Sequence, residues 1–202
     1  MKEHDVEIEE FRLRDGTRVV VRPILPEDKH RLNEGLQRLS ELSRYRRFMT
    51  VVHELSEKQL RYLTEIDYVD HMALVALDPE QPGLPGLGVA RYVRLPKREV
   101  AEVAITVMDS HQGRGLGTLL LGLLSRCASE SGVHTFRAYV LADNKPMLKM
   151  LLDLGATVQR DEGVLRLDVP VPKEPEALRM TATGRAFKVI AAQMAARKRT
   201  RA

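Results

Sequence analysis

Glycine spacing constrains this chain more than any other feature. Residues Val100 to Val107 (Val-Ala-Glu-Val-Ala-Ile-Thr-Val) form a β-rich apolar run. After a short polar stretch, Gln112-Gly113-Arg114-Gly115-Leu116-Gly117-Thr118 opens a leucine-rich segment. Glycines at that alternation let bare backbone N–H groups crowd around an oxyanion, because no Cβ stands in the way. The first turn of a helix leaves N–H groups unpaired and carries partial positive charge, which suits a diphosphate. Arg114 adds a full charge at the same place. The pattern predicts a phosphate cradle at a strand-to-helix junction.

The residues narrow the ligand without naming it. A P-loop needs Gly-Lys-Ser/Thr, and here Gly117 is followed by Thr118 and Leu119. A dinucleotide fingerprint wants G-x-G-x-x-G tight against its strand and an acid after the next strand. This chain has G-x-G-x-G, with Met108 to Gln112 intervening, although Asp143 does end the next strand. That alternative is weakened and stays open, as does a tight turn that binds nothing.

A second segment, Ala142-Asp143-Asn144-Lys145-Pro146-Met147, follows a strand and leads into Leu148 to Leu154 and Gly155. Together the two segments resemble the acyl-CoA diphosphate loop and the Asn-bearing helix of the GNAT superfamily of N-acyltransferases. Further similarity lies in Arg22-Pro23-Ile24, Ser43-Arg44-Tyr45-Arg46-Arg47-Phe48, Ala73-Leu74-Val75-Ala76 and Ala101-Glu102-Val103-Ala104. These look most like the acetyltransferase domain of bacterial Pat-type protein lysine acetyltransferases, over residues 11–169. The resemblance implies an α/β fold of mixed α+β type, with a central, mostly antiparallel sheet flanked by helices. It implies acetyl-CoA as co-substrate, and acetyl transfer to a protein lysine, with an acyl-CoA synthetase as one candidate acceptor. A small-molecule amine is the alternative acceptor, and a non-catalytic acyl-CoA sensor the alternative of another class.

By the same resemblance, the backbone of Ile105, Thr106 and Val107 bonds the pantetheine amides. Gln112, Gly113, Arg114, Gly115, Leu116, Gly117 and Thr118 hold the diphosphate. Asn144 orients the CoA arm, and its residue type equally suits an N-cap. Strand alternation puts Val103, Ile105 and Val107 on one face and Glu102, Ala104 and Thr106 on the other. Glu102 to Val107 spans about 17 Å, enough for a pantetheine arm lying along the strand. The residues alone leave Glu102 open between a solvated glutamate on a sheet face and a base. The Pat-type resemblance implies the general base, with partial burial raising its pKa. Two positions depart from the superfamily pattern. Leu151 stands where many relatives carry a tyrosine acid, and Ala156 stands where a phenylalanine follows the helix-terminal glycine. No general acid is identifiable; Tyr139 and His111 read more simply as a strand and a loop residue.

Composition sets the remaining bounds. At 202 residues and 44% hydrophobic, with 4% aromatics and no Trp, the expected core is Leu, Val and Ala. Residues Met1 to Asp5 show no apolar stretch, so no secretory signal is expected, and no run approaches a membrane span. The single cysteine, Cys127, excludes an internal disulfide, continues the stripe Leu116, Leu120, Leu123, and fits a cytoplasmic chain. Six histidines show no metal-ligand spacing, so no metal is expected. Residues 176–202 hold seven Lys/Arg against one acid, a net +6 within the whole-chain +4. The high pI therefore belongs to the tail, and nucleic acid is expected only as a nonspecific partner of it.

Periodicity predicts two strands about Asp15-Gly16, helices over Glu27–Leu39, Leu42–Phe48 and from Ser56 through Thr64, and strands at Met72–Leu77, Leu87–Leu95 and Val100–Val107. Then come a helix over 116–130, a strand Thr135–Leu141, a helix Lys145–Leu154 and a last strand Val164–Val169. The expected domain is 1–169, followed by a Pro-rich linker at 170–175 and a basic helical extension at 176–202. In that extension Thr183 caps a stripe of Phe187, Ile190, Ala191 and Met194.

Overall fold

The computed structural model describes residues 8–161, 163–172, 181 and 183–190. Its strands are β1 (Glu9–Arg12), β2 (Arg18–Pro23), β3 (His71–Leu77), β4 (Gly86–Arg94), β5 (Val100–Val107), β6 (Thr135–Val140), β7 (Thr157–Asp161) and β8 (Val164–Pro170). Its helices are α1 (Lys29–Arg38), α2 (Glu41–Phe48), α3 (Glu57–Thr64), α4 (Leu116–Glu130), α5 (Lys145–Asp153) and α6 (residues 183–190). The strands form one eight-stranded sheet in the order β1-β2-β3-β4-β5-β6-β8-β7. The pairs β1–β2, β2–β3, β6–β8 and β7–β8 are antiparallel and β5–β6 is parallel, the mixed and mostly antiparallel sheet expected. Among the described residues no helix is long and apolar enough to cross a membrane, and no group of three or more His, Cys, Asp or Glu is placed to hold a metal.

The chain divides into two compact units, one of Met1–Arg91 with Ile105–Leu120, the other of Tyr92–Ala104 with Leu121–Ala202. In the first, β1 and β2 close through a turn in which Gly16 takes φ +86° and Asp15 accepts from Thr17 N at 3.1 Å. Every residue of β3 is buried, as its unbroken apolar run demands of a strand covered on both faces. The predicted first helix begins later than expected. Pro26–Asp28 is a 3-10 turn, because the Asp28 carboxylate is drawn inward to bind Arg22 at 2.7 Å from both nitrogens, Leu25 N at 2.9 Å and Arg31 at 3.0 Å. Ser56 and Gln59 cap α3 reciprocally, as their spacing predicts. At the other end of that helix, the buried Arg91 guanidinium donates to Leu63 O and lies 3.1 Å from His71 Nε2. Burial, with Arg91 adding to it, pushes the His71 pKa down to about 4, so the ring is neutral and accepts.

In the second unit, α4 buries Leu121, Leu123, Leu124 and Ala128, while Tyr92 and Phe136 pack with ring centroids 6.0 Å apart. Cys127 is half-buried rather than fully in the core. Strand β7 was not anticipated. Four of its five residues, Thr157 to Arg160, are exposed, so this edge strand carries no burial alternation to read. In α6, Phe187 and Ile190 are buried, and Ile190 Cδ1 would lie 3.1 Å from a Cβ on Gly122 of α4. The cap is Thr181 rather than Thr183: Gly184 N donates to Thr181 Oγ1 at 3.0 Å, and Thr183 Oγ1 instead donates to Asp153 at 3.0 Å. Ala191, Met194 and most of the basic tail lie outside the described residues.

The Asp28 cluster gives a stability prediction. Burial alone would raise its pKa, but hydrogen bonds from Arg22 and Leu25 N, with the charge of Arg22, carry it below the ordinary 3.8. Its contribution is therefore complete above the unfolded-state pKa and is lost as pH falls through the lowered folded-state value. Asp28→Ala should cost about 3–5 kcal/mol, since it strands two guanidinium groups. Urea titration at neutral pH measures that loss, and the gap between variant and parent should close in strong acid.

Candidate active site

The glycine segment folds as the sequence suggests. Gln112–Gly115 is a turn, and the first backbone bond of α4 runs from Leu119 N to Gly115 O at 2.9 Å. Gly113 and Gly115 take φ +74° and +96°, the left-handed region that favours glycine. The N–H groups of Gly113, Arg114, Gly115, Leu116 and Gly117 have no acceptor among the described residues. Five such donors at a helix N-terminus form an anion cradle. Leu116 is fully buried, so it anchors the helix start and offers only its backbone.

Two side chains of this segment are already engaged. Arg114 pairs with Asp15 of the β1–β2 turn at 3.2 Å. The Gln112 amide donates to Val107 O at 3.1 Å and to Ser43 Oγ at 3.2 Å. It thus braces the loop against β5 and α2 rather than reaching outward. Beside it, Asp109 accepts from Ser40 N at 2.9 Å, Ser40 Oγ at 2.8 Å and Ser43 Oγ at 2.6 Å. Burial pushes the Asp109 carboxyl up, but the bonds from Ser40 and Ser43 outweigh it and hold the pKa below the ordinary value. The pairing of Asp109 with Ser40 and Ser43 is not legible in the sequence, because the partners stand 66 or more residues apart. The only local signal was Ser40 as an N-cap.

On β5, Val103 is buried and Glu102 exposed, the alternation expected. The partial burial expected of Glu102 is absent. Its neighbour across the parallel ladder, Arg137, is turned to Asp168 in a bidentate pair at 2.8 and 2.9 Å, and the Glu102 carboxylate has no hydrogen bond or ion pair among the described residues. The register pairs between β5 and β6 end at Glu102↔Arg137, although β6 runs on to Val140 and stays paired with β8. In the same unit, Asn144 caps α5 by accepting from Met147 N at 3.4 Å, so its side chain does have the capping role. Leu151 is buried in α5 and offers no proton.

In unit one the structure brings together Ile105, Thr106, Val107 and Gln112 to Thr118. In unit two it holds Glu102 and Asn144. A strand end followed by unpaired donors suits a ligand with a phosphate head and an amide-bearing arm, and a free carboxylate suits proton acceptance.

Comparison with known proteins shows the family. A family model for the acetyltransferase (GNAT) domain matches residues 18–157. Acetyltransferase Pat of Mycolicibacterium smegmatis is 40% identical over 174 residues, which are 82% of this chain and 51% of that protein. An acetyltransferase of Pseudomonas aeruginosa is 35% identical over 149 residues, 74% of this chain and 80% of its own length. Among solved structures, the GNAT domain of S. lividans PAT superposes with a TM-score of 0.74 at 35% identity, covering 81% of this chain and 96% of that domain. A cAMP-binding acyltransferase from Mycobacterium smegmatis matches with a TM-score of 0.62 at 34% identity, over 92% of this chain and 52% of that one. The chain thus spans about half the length of the M. smegmatis relatives.

The polar network makes its own prediction. Helix α2 buries none of its residues, and the Asp109 carboxylate tethers its first turn. Asp109→Ala should speed amide exchange across α2 by roughly ten- to a hundredfold, with β3 unaffected. Unaltered exchange in α2 would place its anchorage elsewhere.

Proposed function

The chain belongs to the GNAT acetyltransferases, and from that premise we propose that it moves the acetyl group of acetyl-CoA onto the side-chain amine of a protein lysine. The observation that carries the reading is the run of five N–H groups from Gly113 to Gly117 that find no acceptor among the described residues. The CoA diphosphate accepts from these donors, which lose no protein bond in meeting it. The pantetheine arm runs from the loop along β5, past Val107, Thr106 and Ile105, and the thioester ends near Glu102.

Glu102 then acts as the general base. Its exposed, unpaired carboxylate takes the proton of the incoming ammonium group, directly or through a water. The freed amine attacks the thioester carbonyl carbon and the C–N bond forms. The C–S bond breaks, the nitrogen releases its second proton to solvent, and the thiolate takes a proton from solvent, since Leu151 supplies none. Support for a protein acceptor comes from the likeness to the Pat proteins and from α2, where Leu42 and Tyr45 stand about half exposed.

Two variants test this. Gly115→Val forces a β-branched residue to φ +96° beside the donors, and calorimetry should then find acetyl-CoA binding abolished. Retained affinity would remove the loop from the reading. Glu102→Gln should lower turnover by roughly two to four orders of magnitude with CoA affinity little changed, measured where chemistry limits the rate. Near-parental turnover would leave Glu102 a solvated side chain. Acetyl-transfer assays on an acyl-CoA synthetase beside a panel of free amines decide the acceptor.

A further inference from the structure

The charge assigned to the phosphate loop by sequence is Arg114, yet Arg114 is already compensated. Asp15 holds it at 3.2 Å, and no Asp or Glu lies within Gln112–Thr118 to alter that balance. His111, just upstream, adds no charge near neutral pH. Burial, the Arg114 charge and the Arg38 charge lower its pKa below 6.5, outweighing the opposing charges of Asp78 and Asp15. The five donors of the cradle are neutral amides. A cation strengthens the hold on a diphosphate beyond neutral amides, and the loop's own is engaged with a carboxylate.

Another guanidinium stands at the same place. Arg14, the residue before Asp15, lies over Gly115: a Cβ there would sit 3.6 Å from Arg14 Nε and 3.8 Å from its Cδ and Cγ. The turn that presents it is closed by Leu13 N to Thr17 O at 2.8 Å and Gly16 N to Leu13 O at 3.0 Å, with Leu13 buried beneath. Arg14 is exposed and makes no ion pair among the described residues. Adjacent turn residues thus do opposite things: Asp15 neutralises the loop's arginine, and Arg14 lays an uncompensated guanidinium on the loop's central glycine.

We propose that Arg14 is a phosphate-binding residue of the acyl-CoA site, contributed by the β1–β2 turn some hundred residues before the glycine loop. This rests on the reading that the loop holds the CoA diphosphate. The planar fork of arginine matches a phosphate bidentately, and its aliphatic stem packs on backbone that carries no side chain. CoA offers two phosphate sources within reach of such a fork, the diphosphate and the ribose 3′-phosphate, and the test separates them.

The experiment is calorimetric titration of acetyl-CoA and of 3′-dephospho-CoA into the full chain and its Arg14→Gln, Arg14→Lys and Arg18→Gln variants. Arg14→Gln should weaken acetyl-CoA roughly ten- to a hundredfold, and Arg14→Lys less. Arg18, on the same hairpin but paired with Glu10 at 2.6 Å, should be replaceable without effect. If Arg14 meets the 3′-phosphate, the Arg14→Gln penalty vanishes with 3′-dephospho-CoA; if it meets the diphosphate, the penalty persists. Parental affinity in folded Arg14→Gln overturns the proposal, as does an equal loss in Arg18→Gln, which would reduce the effect to bulk charge. Should Arg14→Gln lose the fold, Arg14→Lys carries the comparison, and parental affinity there on both ligands overturns the bidentate contact. A parent chain that binds neither ligand overturns the functional reading and this inference together; parental binding with an indifferent Arg14 overturns this inference alone.

Discussion

Five successive backbone N–H groups, from Gly113 to Gly117, find no acceptor among the described residues. They persist here because Gly113 and Gly115 take a left-handed backbone that turns the segment out of any ladder, and because Leu116 is wholly buried at the first position of α4. The helix start is pinned from the apolar side and bare on the other. A donor-rich helix end fixed by burial pays its ordering cost during folding, so an anion meets a surface that is already organised.

The elements around the cradle brace it by polar contacts from distant segments. Asp109 sits at the first turn of α2, whose N–H groups and partial positive charge favour a carboxylate, and it receives both serine hydroxyls there. Gln112 closes the ring back to the end of β5. Asp15 reaches in from the β1–β2 turn to hold Arg114. A loop rich in glycine loses more freedom on ordering than any other, so contacts from two separate elements are the expected compensation.

In the second unit a different device leaves a carboxylate exposed. Along β6 the ladder with β8 is complete, while the ladder with β5 stops at Glu102↔Arg137. Arg137 engages its guanidinium with Asp168, which leaves Glu102 without a partner among the described residues though it faces a cation in register. A bidentate pair within the antiparallel ladder satisfies both partners geometrically, and a carboxylate on the neighbouring strand cannot compete with it.

Much of this was legible in the chain itself. The order of strands and helices, the strand-to-helix junction at 107–116 and the capping box at Ser56 and Gln59 rest on local patterns of apolar period, glycine and cap residues, which act within a few positions, while the mixed, mostly antiparallel sheet was implied by the family likeness. What the tertiary structure decided was partnership. That Arg114 is spent on Asp15, that Gln112 braces rather than points outward, that Asp109 tethers α2, that Arg14 overlies Gly115 and that Glu102 stands exposed all depend on residues tens of positions apart. So does the cap of α6, where Asp153 draws Thr183 away and leaves the N-terminus to Thr181. Edge strand β7 was invisible for the complementary reason, since a strand exposed along most of its length carries no burial period. Local stereochemistry and hydrophobic period are written into the sequence; which charged and polar groups pair is settled only when folding brings distant segments within about 3 Å of each other.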